Sequence, residues 1–221
     1  MVKPLDLEEQ EQIEQLKHYW HKYGNVATWS LTVVLLAYAG WNGWQYWQNK
    51  VAAQAAAQED ALMVALGKGE LETAKRIWSD LKRDASKTVV AQQAALAMAQ
   101  RAVQDQAWNE ARALFTHLIE TGSDAGLVTS ARLGLVAVHV QTQQLDSALK
   151  ILETGPWPAA FEGLKSDRLG DVLQLKGQQQ AAIEAYTLAY TRLSSDTEYQ
   201  ALVAAKLNAL GAPAPKSGSA S

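Results

Sequence analysis

One residue pattern recurs four times across the C-terminal three quarters of this 221-residue chain. Each copy has a turn residue, a large residue two positions later, an alanine five positions later and a bulky residue nine positions later. The alanines are Ala74, Ala111, Ala148 and Ala182, so the copies are 37, 37 and 34 residues apart. A nearly constant period of this length is typical of helix–turn–helix units stacked into an array. We therefore predict an all-α fold, an α-solenoid of helical hairpins.

The spacing has a simple packing reason. A small residue seven positions before the turn, such as Ala99 or Gly170, lets two antiparallel helices approach closely, and the bulky residue after the turn fills the layer between hairpins. The pattern resembles the tetratricopeptide repeat, most closely in the unit that contains Gly170 and Gly177. In the third unit Gly134 lies nine residues before Gln143, so that turn is longer or its register differs. Generic amphipathic helices remain the alternative.

A second constraint is the stretch of 27 residues between Lys22 and Lys50, which carries no charge. Residues 26–47 give roughly 33 Å of helix at about 1.5 Å per residue, enough for a hydrocarbon layer of ~30 Å. We predict a single N-terminal transmembrane helix over residues 25–47. Aromatic side chains collect at membrane–water interfaces and mark its C-terminal end. These predicted interface residues are Trp41, Trp44, Tyr46 and Trp47.

Two alternatives to a retained membrane anchor are a cleaved signal peptide and a buried soluble helix. Ala37-Tyr38-Ala39 resembles a small-residue cleavage site. However, the preceding region carries five acidic residues and is far longer than the basic segment that begins a signal peptide. The apolar run also continues past the site. Both features favour an anchor.

The orientation of the anchor is predicted from its flanking lysines. Lys17 and Lys22 lie just before the stretch, whereas Lys50 alone lies just after it. Cytoplasmic flanks of membrane helices carry an excess of Lys and Arg. The N-terminus is therefore expected in the cytoplasm and the larger C-terminal part on the other side of the membrane.

These features divide the chain into six predicted parts. In the first, apolar residues recur at helical spacing and form a face for a partner helix or for lipid, with a solvated helix as the alternative. The parts are a cytoplasmic amphipathic segment (1–24), a transmembrane helix (25–47), a stalk and first helical hairpin (48–87), three tetratricopeptide-like hairpins (88–195), a C-terminal capping helix (196–210) and a flexible tail (211–221).

The composition excludes several classes of function. The chain has no Cys, which removes disulfide scaffolds, Cys-type zinc sites, iron–sulfur clusters and Cys nucleophiles. A formal charge of −3 without a basic block makes nucleic-acid binding a poor interpretation. No Ser–His–Asp spacing, recognisable acid pair or nucleophile elbow is present. We predict that the protein is not an enzyme and holds no cofactor or metal.

Helical repeat arrays usually bind peptides or protein surfaces in a concave groove lined mainly by the first helix of each unit. In the register of the repeat, that face mixes apolar and amide side chains, which suits an extended or partly unfolded polypeptide. Ordinary helix surface is the alternative for each residue. The candidate groove residues are Gln93, Leu96, Gln100, Val103, Leu135, Val138, Leu164, Asp167, Asp171 and Gln174.

The whole chain to Leu210 resembles a known family, the YfgM-type ancillary subunits of the bacterial SecYEG translocon. The order of its features carries the likeness: an acidic N-terminal helix, a single span, an aromatic exit and degenerate repeats. The matching stretches are Glu14-Gln-Leu-Lys-His-Tyr-Trp20, Tyr23-Gly-Asn25, Gly43-Trp-Gln-Tyr-Trp47, Asp167-Arg-Leu-Gly-Asp171, Lys176-Gly177 and Lys206-Leu-Asn-Ala-Leu210.

This resemblance implies a single-pass protein of the bacterial inner membrane with a periplasmic repeat domain. It implies association with the SecYEG translocon and with a membrane-anchored periplasmic chaperone of the PpiD type. It also implies help for newly exported, unfolded proteins and a link to envelope stress. Two other hypotheses remain open: a scaffold for another cell-envelope complex, and a soluble periplasmic protein released after Ala39.

Overall fold

A computed structural model describes residues 7–86, 88–193 and 198–215. Within these ranges the chain is helical and has no strand, as an all-α array requires. The α-helices are α1 (Leu7–Lys68), α2 (Leu71–Asp84), α3 (Val89–Gln104), α4 (Trp108–Thr121), α5 (Ala125–Gln141), α6 (Leu145–Glu153), α7 (Glu162–Leu175), α8 (Gln179–Arg192) and α9 (Glu198–Ala209), and a short 3-10 helix covers Ala159–Phe161.

The chain forms two compact units, Met1–Ala53 and Gln54–Ser221. The first unit contains the part of α1 up to Ala53. No helix in the described ranges is long and apolar enough to cross a membrane. The membrane-spanning helix predicted over residues 25–47 is therefore not confirmed, because small and polar residues such as Ser30, Gly40 and Asn42 interrupt the apolar run.

The large apolar side chains of residues 26–47 are nevertheless exposed along α1, with fractional exposures from 53% to 72%. Several polar groups in this stretch turn back onto their own helix. Thr28 Oγ1 donates to the carbonyl of Gly24, Thr32 Oγ1 to the carbonyl of Thr28, and Asn42 Nδ2 to the carbonyl of Tyr38. Their hydrogen-bonding capacity is thus partly met within the helix, which leaves a surface dominated by apolar groups.

The second unit is an array of hairpins in which each helix packs against its neighbours in sequence. The pairs α3–α4, α4–α5, α5–α6, α6–α7, α7–α8 and α8–α9 are all in contact. The first helices of successive hairpins also meet, since α5 touches both α3 and α7. This arrangement places α3, α5 and α7 in one layer and confirms the tetratricopeptide-like architecture predicted from the repeat.

The turn residue of the repeat has a left-handed backbone in every hairpin. Its φ is 76° at Gly69, 56° at Gln106, 58° at Gln143 and 75° at Gly177. Each turn closes with the same bond from the following N–H to a carbonyl five residues earlier, a common way to satisfy the last carbonyls of a helix. These bonds join Glu70 to Ala65, Ala107 to Ala102, Gln144 to His139 and Gln178 to Leu173.

The same turn geometry follows α9. Gly211 has a φ of 76°, and the N–H of Ala212 donates to the carbonyl of Leu207 at 3.0 Å. By this criterion α9 is the first helix of a fifth, incomplete unit. Ala212 and Ala214 pack against the last hydrophobic cluster, so the first residues of the predicted tail belong to the fold.

The left-handed turns predict opposite effects for two exchanges. A residue with a Cβ is disfavoured at positive φ by about 1–2 kcal/mol. Glycine has the opposite disadvantage, because its greater freedom in the unfolded chain lowers the stability of the folded protein by about 0.4–1 kcal/mol. A Cβ at Gly177 would meet no other atom within 4 Å, so Gly177→Ala tests backbone strain alone. We expect Gly177→Ala to lower the free energy of unfolding by about 1 kcal/mol and Gln143→Gly to raise it slightly. Urea denaturation of both variants checks this; equal signs for the two exchanges would contradict it.

Two glycines, Gly170 and Gly134, allow an aromatic ring to pack directly against the helix backbone. The first contact lies within one hairpin and the second lies between two hairpins. A Cβ at Gly170 would lie 2.5 Å from the ring of Tyr186 on α8, within the same hairpin. A Cβ at Gly134 would lie 2.4 Å from the ring of Phe115 on α4, which belongs to the preceding hairpin. Gly134 therefore serves the contact between units rather than the contact within one, which explains its different distance from the turn at Gln143.

Candidate protein-binding surface

The helix α3 carries four of the predicted groove residues. The side chains of Gln93 and Gln100 are exposed, and those of Leu96 and Val103 are half-buried. Leu96 and Val103 pack against the hydrophobic cluster formed by α3, α4 and α5. This helix therefore presents amide groups to solvent, with apolar side chains that are shared with the core.

Next to Gln93, the buried side chain of Gln92 fixes the start of α5. Gln92 Oε1 accepts from the backbone N–H groups of Ser123 at 2.9 Å and Asp124 at 3.0 Å, and Nε2 donates to Ser123 Oγ at 3.0 Å. Asp124 in turn caps α5, because its Oδ1 accepts from the N–H of Leu127 at 2.8 Å. The amide of Gln92 is thus used inside the fold, a role that the sequence pattern did not reveal.

The two candidates on α5, Leu135 and Val138, lie in the core rather than on a surface. Leu135 is 7% exposed and Val138 is 0% exposed, and both join the cluster of Phe115 and Leu118. The reason is that α5 is enclosed by α3, α4, α6 and α7. A charge introduced at Leu135 would therefore be buried and would destabilise the fold rather than test a groove.

The four candidates on α7 fall into different environments. Leu164 is half-buried and Gln174 is exposed. Asp167 is 0% exposed, and Asp171 is half-buried. Asp167 is therefore a structural carboxylate, and of the four candidates only Gln174 is fully exposed.

The two aspartates hold Lys206 of α9. Lys206 Nζ lies 2.7 Å from Asp167 Oδ1 and 2.6 Å from Asp171 Oδ1. Tyr199, also on α9, donates from its hydroxyl to Asp167 Oδ2 at 2.5 Å. Arg168 Nη1 adds a second cation, 3.0 Å from Asp171 Oδ2. This cluster joins α7 and α9 by charge-assisted hydrogen bonds, which are stronger than neutral ones.

Tyr186 of α8 completes this cluster. Its Oη lies 2.8 Å from Asp171 Oδ1 and 2.9 Å from Gln174 Oε1, and Lys206 Nζ lies 5.3 Å from the centre of its ring. Burial and then the hydrogen bond to an aspartate raise the pKa of Tyr186, and the same two causes raise the pKa of Tyr199. Both phenols therefore keep their protons and act as donors.

Chemically, this cluster is a clamp and not a reactive centre. The oxygens of Asp167 and Asp171 are occupied by donors from α7, α8 and α9. In the part of the chain that the structure describes, no three His, Asp or Glu side chains meet in a way that could hold a metal ion. The clamp brings together the stretches 167–171 and 206–210, which lie far apart in sequence.

The predicted interface aromatics Trp41, Trp44, Tyr46 and Trp47 are all exposed on α1. The rings of Trp41 and Trp44 are tilted at 53° with centroids 5.7 Å apart. Exposed indoles at this density are costly in water and favourable at a membrane–water interface.

A surface cavity that the sequence analysis missed lies between two hairpin turns. It has a volume of about 530 Å³ and is bordered by the turn between α3 and α4 and the turn between α5 and α6. The lining residues include Gln106, Trp108, Asn109, Arg112 and Gln144. The sequence contained one indication of this cavity, which is that Gln106 occupies a turn position where the first and fourth hairpins have glycine.

Comparison with known proteins extends over nearly the whole chain. The family described as the tetratricopeptide repeat-like domain matches residues 17–212. A Haemophilus influenzae protein named ancillary SecYEG translocon subunit is 31% identical over 204 residues, covering 92% of this chain and 98% of the relative. A Neisseria gonorrhoeae protein of the same name is 26% identical over 211 residues, again covering 92% of this chain and 98% of the relative. The likeness therefore includes residues before the repeat array as well as the array itself.

Proposed function

The chain belongs to the family of ancillary SecYEG translocon subunits with a tetratricopeptide repeat-like domain, and from this we propose that it is itself an ancillary subunit of the Sec translocon. The supporting observation is that the similarity covers 98% of the relatives' length. Repeat arrays alone occur with many unrelated partners. A likeness that extends through the N-terminal segment favours the same cellular setting.

The proposed location is the bacterial inner membrane, where residues 25–47 hold the chain as a single pass. The absence of charge between Lys22 and Lys50 and the exposed apolar side chains of this stretch support membrane contact. The lysine distribution supports a cytoplasmic N-terminus and a periplasmic array. In this arrangement the second unit, residues 54–221, stands next to the site where exported chains emerge.

The proposed role of the array is to bind proteins without catalysis. The partners are the translocon, a membrane-anchored periplasmic chaperone of the PpiD type and newly translocated, unfolded chains. The exposed amides of Gln93 and Gln100 offer donors and acceptors for polypeptide backbone. Attachment to the membrane raises the local concentration of the array near these partners, so that weak contacts suffice. A scaffold for another envelope complex is the alternative.

The topology can be tested with single cysteines because the natural chain has none. We expect a membrane-impermeant maleimide added to spheroplasts to label Gln100→Cys, and to label Gln15→Cys only after permeabilisation. The reverse pattern would contradict the orientation. Labelling of both positions before permeabilisation would contradict a single pass.

The partners can be tested with the same Gln100→Cys protein in native membranes. A short thiol-to-amine cross-linker should join it to translocon subunits and to a membrane-anchored chaperone, identified by mass spectrometry. Ala113→Cys, at an exposed position on α4, is the matched control, because it shows whether the adducts depend on which helix carries the cysteine. Stoichiometric adducts with cell-wall or outer-membrane assembly proteins, without translocon subunits, would favour the scaffold and contradict the proposed function.

A further inference from the structure

The cavity between the second and third hairpin turns combines features of a ligand site. Its volume of about 530 Å³ is within the range of small-molecule and peptide-side-chain pockets. Trp108 lines it while also packing against the hydrophobic cluster of α3, α4 and α5, so the ring is held by the core. Gln106, Asn109 and Gln144 also line the cavity, and of these Gln144 is already paired, because its Oε1 lies 2.7 Å from His139 Nδ1. The cavity thus combines one fixed aromatic residue with the amides of Gln106 and Asn109.

Gln106 occupies a conformation that costs energy. Its φ is 56°, whereas three of the four equivalent turns use glycine, at Gly69, Gly177 and Gly211. A non-glycine residue at positive φ is disfavoured by about 1–2 kcal/mol. Strain of this kind is concentrated at functional sites, where a particular side chain is needed in a particular place. Gln143 has a similar φ of 58° but does not line the cavity, which makes it an internal control.

Arg112 supplies an uncommitted positive charge. Arg112 is half-buried and lines the cavity, and within the described residues its guanidinium makes no ion pair. The acidic lining residue, Glu110, lies 3.5 Å from Lys75 Nζ and is therefore already partnered. A carboxylate is the group that best matches a guanidinium.

We propose that this cavity binds an extended peptide segment that carries a carboxylate side chain. The amides of Gln106 and Asn109 pair with the peptide backbone, Trp108 covers an apolar part of the segment, and Arg112 pairs with the carboxylate. The site lies at the edge formed by the turns, and not on the layer of first helices where the groove was predicted. This peptide site would be one place where the array binds unfolded chains, and the proposal rests on that part of the proposed function. Its test requires no translocon.

The test measures fluorescence anisotropy with full-length protein in mild detergent. The probe is a fluorescein-labelled peptide, Gly-Ser-Leu-Asp-Leu-Glu-Ser-Gly amide, which carries both apolar and carboxylate side chains, and its counterpart has Asn and Gln in place of the acids. We expect the acidic peptide to bind more tightly than the neutral one. Gln106→Gly should weaken binding by about five-fold and Arg112→Gln by about ten-fold, the effects of one neutral and one charge-assisted hydrogen bond.

Two control variants separate binding from folding. Gln143→Gly relieves the same backbone strain outside the cavity and should leave the affinity unchanged. Arg76→Gln removes an exposed charge from α2 and should also leave it unchanged. Equal affinities for Gln106→Gly, Arg112→Gln and the wild type would overturn the proposal, as would no binding of the acidic peptide. Either result would leave the translocon association standing, because the cross-linking experiment tests that separately.

Discussion

Replacing Lys206 by methionine should lower the free energy of unfolding by about 3 kcal/mol, because breaking a buried ion pair leaves an uncompensated charge. Asp167 is 0% exposed, and Lys206 is the closest cation to it. In the variant, the Asp167 carboxylate would retain the hydrogen bond from the Tyr199 hydroxyl and the more distant Arg168 guanidinium at 3.8 Å. Methionine retains most of the alkyl chain, so the loss reports on charge more than on packing.

The effect should be specific to the buried pair, and Lys176 provides the control. Lys176 pairs with Asp146, whose side chain is 92% exposed, so Lys176→Met should change the stability by less than about 1 kcal/mol. The double variant Asp167→Asn with Lys206→Met should recover much of the loss. Urea denaturation gives the free energies, and amide hydrogen exchange should show the largest loss of protection in α9. Equal losses for Lys206→Met and Lys176→Met would contradict the clamp.

The second large effect is expected from Gly170→Ala, which should destabilise the protein by about 2–3 kcal/mol through overpacking. The added Cβ would lie 2.5 Å from two ring carbons of Tyr186. The ring cannot easily move away, because Tyr186 is 0% exposed and its hydroxyl is bound to Asp171. The two helices of the last hairpin must therefore separate to accommodate one methyl group.

A smaller partner should remove this penalty. At the equivalent pair of positions the second hairpin combines Ala99 with Phe115, and the third combines Val136 with Leu152. We therefore expect the cost of Gly170→Ala to fall sharply when Tyr186→Leu is already present. Thermal unfolding of the two single variants and the double variant measures this coupling. An undiminished cost in the Tyr186→Leu background would show that the ring is not the cause.

The hairpin turns could be predicted from the sequence because a few neighbouring residues determine each of them. The four turns follow from Gly or Gln at a fixed distance before an alanine, and every one of these residues has a positive φ. The helix expected near the C-terminus is present as α9. A turn is determined by a few neighbouring residues, so its signal survives when the rest of the repeat is degenerate.

The surface was harder to predict, because exposure depends on how many helices surround a position. The repeat register correctly identified the first helix of each unit, but Leu135 and Val138 lie on a helix with neighbours on four sides. Asp167 looked like a groove residue because its partner Lys206 is 39 residues away in sequence. The cavity at Gln106 and Trp108 arises from two turns that only the folded array brings together.

The pairing of each helix with its sequence neighbours has a consequence for how the array forms. Almost every helix contact in the array joins segments that are adjacent or next but one along the chain, so little loop entropy must be lost before contacts form. Domains with such local contacts fold fast, and repeat arrays can nucleate at any unit and grow outwards. A chain that emerges N-terminus first, from the ribosome or from a channel, can therefore complete each hairpin before the next has appeared.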